Sequence, residues 1–76
     1  MWIKSYDGTI LLNTDRVSEF HITGLGEHIF EIVAELGGVN RCYLGSYKKK
    51  DQAKIVLDRI LSAIDDDDKA FWLQQK

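Results

Sequence analysis

Large apolar and polar residues alternate from Trp2 to Tyr6, and Asp7-Gly8 follows. That dipeptide after an alternating run is the strongest short-range signal of a tight hairpin, so residues 9–13 should return as a second strand. Asn13-Thr14-Asp15 predicts a turn or bulge, because Asn and Asp side chains hydrogen-bond the nearby backbone. Residues 17–23 form the next expected strand, closed by Gly24-Leu25-Gly26-Glu27, and residues 28–36 the one after it, closed by Gly37-Gly38-Val39-Asn40. Residues 41–47 lead into a different period. From residue 49 to 64 Ala53, Leu57, Ile60 and Ile64 recur at helical spacing with Val56 and Leu61 flanking them, which predicts one amphipathic helix laid on a sheet. Four aspartates, Asp65 to Asp68, then crowd the end that a helix dipole reserves for cations, so the helix should stop there. The apolar tail, residues 69–76, predicts a short last strand or a further helical turn.

Short strands joined by tight turns pair antiparallel. The expected fold is therefore α+β: one small domain over 1–76, with a four- to five-stranded antiparallel β-meander (1–47) followed by one packed helix (49–64). Such a helix covers one face of the sheet. The strand at 28–36 is apolar on both, with Phe30, Ile32, Ala34 and Leu36 on one side and Ile29 and Val33 on the other beside Glu31 and Glu35. Ile55 points away from the helix stripe, and Trp2, Phe71 and Trp72 also need cover. Trp2, Ile29, Val33, Ile55, Phe71 and Trp72 are the expected interface of a homo-oligomer, since a second copy covers such a surface most cheaply.

Composition narrows the setting. A chain of 76 residues buries only roughly 60% of its unfolded surface, and its single cysteine, Cys42, has no disulfide partner within it. A lone cysteine and no signal peptide point to a reducing cytoplasm, and no apolar run is long enough to span a membrane. A net charge of −2 argues against non-specific nucleic-acid binding, and 45% hydrophobic residues exclude disorder.

Met1-Trp2-Ile3-Lys4-Ser5, Leu11-Leu12-Asn13, Leu44-Gly45-x-Tyr47 and Ala53-x-x-Val56-Leu57-x-x-Ile60 together resemble a group of short proteins of phages, prophages and Gram-positive bacteria. The likeness runs along nearly the whole chain through packing motifs. The chain departs from it at the helix cap, where Lys49 replaces Thr or Ser, and at Phe71-Trp72-Leu73-Gln74, where an aromatic followed by Met-Pro is common. The resemblance implies a small accessory protein of a mobile element, working in the cytoplasm of a bacterial host. It would act stoichiometrically on a host protein or a small signal, in some cases against anti-phage immunity.

Candidate chemistry is sparse. His21 and His28 lack a third ligand at metal-site spacing, and Cys42 lies in no nucleophile motif. Asp65 to Asp68 lack the spaced ligands of a calcium loop. No cofactor, metal or catalytic set is expected, and the chain does not look like an enzyme. The basic corner is more informative. Lys48, Lys49 and Lys50 crowd a helix N-terminus, where free N–H groups favour anions. With Arg41 at the start of the preceding strand and Tyr43 and Tyr47 alternating along one face, these residues form a candidate site for an anionic ligand. The expected function is non-enzymatic: an oligomer that sequesters a host nucleotide signal. The competing expectation is a module that docks on a host protein through its apolar sheet face or tail.

Overall fold

The Asp7-Gly8 turn closes as its side chains dictate. Asp7 Oδ1 accepts from Ser5 Oγ at 2.8 Å, Thr9 N at 3.0 Å and Thr9 Oγ1 at 2.7 Å. Gly8 takes a left-handed φ of 78° that few other residues adopt. Strands β1 (Trp2–Lys4) and β2 (Leu11–Asn13) therefore lie antiparallel, with Ile3 opposite Leu12. A 3-10 turn, Thr14–Arg16, follows, capped by Asn13, whose side chain accepts from Asp15 N at 3.1 Å, while Thr14 N donates to Met1 O at 2.9 Å.

The computed structural model of the chain describes residues 1–73. Beyond the turn, β3 (Glu19–Gly26), β4 (Ile29–Glu35) and β5 (Arg41–Tyr47) run antiparallel in that order. Helix α1 (Lys50–Asp65) crosses all three, and β6 (Ala70–Trp72) comes last. The fold is α+β, but the strands divide into two three-stranded sheets, β2-β1-β6 and β3-β4-β5. The expected four- to five-stranded meander is thus a three-stranded one. The N-terminal hairpin leaves it because both edges of β1 are taken, one by β2 and the other by β6, which pairs parallel to it. Trp2 N donates to Lys69 O at 2.9 Å and Leu73 N to Lys4 O at 3.0 Å, so the tail is a strand and part of the fold. Its last three positions, 74–76, lie outside the described residues.

One core joins the layers. Ile3 and Leu12 of the first sheet, Ile32, Ala34, Leu44 and Tyr47 of the second, Ala53, Val56 and Ile60 of α1, and Leu73 form a single buried cluster. Two details correct the sequence reading. Val33 is fully buried, not exposed. It lies opposite His21 on one neighbouring strand and Tyr43 on the other, with Glu31 and Glu35 along its own strand, and long side chains close over it. Tyr43 and Tyr47 do not share a face either. Ile32 pairs with Gly45 and Val33 with Tyr43, so Leu44 is an extra residue, and this bulge resets the alternation. Tyr43 is exposed while Tyr47, 4% accessible, packs edge-to-face on Tyr6 at 5.6 Å in the core.

Helix α1 is also rolled slightly from its expected setting. Ala53, Val56, Ile60 and Ala63 form the buried line, Leu57 is half-buried, and Ile64 and Leu61 are exposed. The helix ends in a Schellman turn: Asp67 N donates to Ile64 O at 3.1 Å and Asp68 N to Ala63 O at 3.0 Å. Asp67 holds the left-handed position at φ 58° that glycine usually fills.

Candidate functional site

A cleft of about 560 Å³ opens between the two sheets. One wall is β1 and β2, contributing Trp2, Leu11, Leu12 and Asn13; Arg16 stands at the end of the 3-10 turn; the opposite wall is Leu36, Asn40 and Arg41 at the β4–β5 connection. Local sequence places these side chains. The Asn13 cap closes the 3-10 turn whose last residue is Arg16. Gly37 and Gly38, at φ 96° and 60°, let the connection close tightly, with Leu36 N donating to Asn40 O at 2.9 Å and Asn40 N to Gly37 O at 3.2 Å. The lining thus brings a half-exposed tryptophan, two arginines, two asparagines and three leucines together.

The two arginines differ electrically. Arg41 is tied into a chain across the open sheet face. Its Nη2 lies 3.2 Å from Glu35 Oε2, which in turn meets His21 Nε2 at 2.6 Å, and Thr23 Oγ1 sits 3.3 Å from His21 Nδ1. A hydrogen bond with Tyr43, then the Glu35 charge, hold the Arg41 guanidinium even more firmly protonated than usual. Among the described residues, no carboxylate pairs with Arg16, so it carries the uncompensated charge of the cleft.

The structure regroups the residues singled out in the sequence. Lys48, Lys49 and Lys50 are exposed at the start of α1. Arg41 lies at the far end of β5, roughly 20 Å away at strand rise, and the bulge buries Tyr47, so the expected lysine–tyrosine–arginine constellation is not assembled. Arg41 is instead brought to Trp2. Arg16, Asn13 and Asn40 escaped the sequence reading, although the Asn13–Arg16 turn and the Gly-Gly-Val-Asn loop were both recognisable as turns, where binding residues concentrate. Of the other expected interface residues, Ile29, Ile55 and Trp72 are exposed and Phe71 is half-buried against the core. Trp72 is anchored: its indole N–H donates to Ser5 O at 3.1 Å and Lys4 Nζ sits 4.3 Å over its ring. His21 is held by Glu35 and His28 lies in the β3–β4 turn, and no group of three metal-ligating side chains occurs among the described residues. No helix among them is long and apolar enough to cross a membrane.

Comparison of the chain with protein families, with curated proteins and with solved structures gives no match in any of the three.

Proposed function

We propose that this chain is a non-enzymatic binding protein whose Trp2–Arg16–Arg41 cleft takes a small anion bearing a flat ring, of the nucleotide class. The observation that carries this reading is that Trp2, Arg16 and Arg41 line one cleft. A guanidinium offers paired donors that match phosphate oxygens, and a base stacked on an aromatic side chain contributes roughly 1–3 kcal/mol. The amides of Asn13 and Asn40 supply further donors at the rim. Among the described residues, the cleft is lined by tryptophan, leucine, asparagine and arginine, and none is an ordinary nucleophile or general base, which favours capture over turnover. The resemblance to phage-borne accessory proteins makes a host nucleotide signal, sequestered in the bacterial cytoplasm, the first ligand class to test.

A thermal-shift screen with mononucleotides, cyclic nucleotides and ADP-ribose-type compounds should reveal a ligand that raises the melting temperature, since any native-state ligand stabilises by mass action. Arg16→Ala and Arg41→Ala should each weaken that ligand by about tenfold or more in calorimetry, a loss on the order of 1.4 kcal/mol. A Lys48→Glu/Lys50→Glu variant should bind as wild type does, because those lysines lie far from the cleft. Indifference of the wild-type chain to every nucleotide, or loss of binding in the lysine variant with Arg16→Ala unaffected, overturns the assignment.

A further inference from the structure

Helix α1 carries a second apolar line beside the one it buries. Leu57, Leu61 and Ile64 border a groove of about 300 Å³ with Phe20, Ile60 and the charged Asp58, and Leu61 is 65% exposed. Extended toward the N-terminus, the line continues through Lys54 and Lys50. The spacing 50–54–57–61–64 is an unbroken four–three–four–three repeat, the seam of a paired helix. Its two ends carry opposite net charge. Lys48, Lys49, Lys50 and Lys54, with Asp51 among them, lie toward the helix N-terminal end and Asp65 to Asp68 at its C-terminal end, each majority sign where the helix dipole disfavours it.

We propose that the chain forms a two-fold dimer through α1, the Leu57–Leu61–Ile64 seams of two copies packed antiparallel. A dyad at residue 59 sets Leu57 against the partner's Leu61 and Lys54 against the partner's Ile64, beside the first of the partner's four aspartates. The lysine corner then faces the partner's aspartate run. Antiparallel pairing neutralises both misplaced charge clusters at once, whereas parallel pairing sets lysines on lysines and aspartates on aspartates. The charge pattern therefore selects a second copy of this chain, in one orientation. The seam shares no residue with the Trp2–Arg16–Arg41 cleft, so dimerisation and ligand binding fail or stand separately.

Sedimentation equilibrium on the full chain at micromolar concentration should show a dimer that high salt weakens, through screening over roughly 8 Å at physiological strength and less above it. Leu61→Glu should raise the dimer dissociation constant by about tenfold or more while leaving the circular dichroism spectrum unchanged, since Leu61 is exposed. Lys54→Glu should weaken the dimer, and adding Asp65→Lys should restore it. In a Cys42→Ser background, Asp58→Cys should cross-link across the dyad. Lys54→Cys should not, because the two copies of that position lie roughly 15 Å apart along the helices. A monomeric wild type, a dimer indifferent to Leu61→Glu, or ready cross-linking through Lys54→Cys overturns the proposal.

Discussion

Tyr47 and Glu31 tie the stability of the fold to pH at opposite ends of the scale. Burial pushes the Tyr47 phenol up to about 12, with Tyr6 and the Glu31 carboxylate adding to the effect. Because the folded pKa lies above the ordinary value of 10, the contribution is whole below pH 10 and is lost as pH climbs from 10 to about 12. Phenolate absorbance should show one of the three tyrosines titrating near the top of that window together with unfolding, and Tyr47→Phe should remove that part of the alkaline transition. Glu31 is raised above 4.5 by burial, and its buried Oε2 has no hydrogen-bond partner among the described residues. Its neutral form suits the fold, so its contribution is whole below pH 4.5 and is lost as pH rises through the folded value. Glu31→Gln should unfold at higher urea than wild type at pH 7, and the gap should close as pH falls toward 4.5. Neither titration is legible in the sequence. Strand alternation alone puts Tyr43 and Tyr47 on one face, and only the extra residue at Leu44 separates them.

Helix α1 is held by its packing more than by its ends. Lys49 occupies the N-cap and makes no side-chain cap hydrogen bond, and Asp67 sits in the left-handed position. Lys49→Ser should stabilise by about 1 kcal/mol by capping a free N–H. Asp67→Gly should add about 1 kcal/mol by relieving the left-handed strain and removing a negative charge from the dipole's negative end. The two sites share no partner, so denaturant midpoints should show their effects adding within about 0.5 kcal/mol. Ile60→Ala should instead cost roughly 2–5 kcal/mol, because Ile60 is 1% exposed at the centre of the core. The helix itself was legible to within one residue at each end, since a 3.6-residue period over sixteen positions admits no other element. Its roll about the axis was not. Leu57 and Ile64 are as apolar as Val56 and larger than Ala63, so periodicity alone could not choose which line sits deepest. The small side chains of Ala53 and Ala63 decide it by letting the helix approach the sheet closely.

At the scale of the whole molecule, the α+β class and the antiparallel succession of β3, β4 and β5 were legible because hairpins and helices are local, whereas the expected meander of four to five strands was too large. The division into two sheets was not legible, because it depends on β6 pairing with β1 across nearly the full length of the chain. The candidate cleft was hidden for the same reason: Trp2 lies in the sheet that this pairing completes and Arg41 in the other. Gly45 marks the point where the two sheets and the tail close on one another. A Cβ there would stand 3.0 Å from Tyr6 Cβ, 3.1 Å from Leu73 Cδ2 and 3.3 Å from Tyr47 Cε2, all closer than comfortable contact. Gly45→Ala should therefore destabilise by roughly 1–3 kcal/mol through overpacking. Leu73→Ala should cost roughly 2–5 kcal/mol through the cavity it leaves, since Leu73 is 2% exposed. The two changes act on one space with opposite sign. In the double variant the added methyl enters room that the leucine vacated, so the combined loss should fall short of the sum by about 0.5–3 kcal/mol. The cycle is best measured by urea unfolding in the Lys49→Ser/Asp67→Gly background, whose added stability keeps all four species folded at the start of the titration. Strict additivity would mean that Gly45 and Leu73 do not share a boundary, and that the tail is not packed into the junction between the sheets.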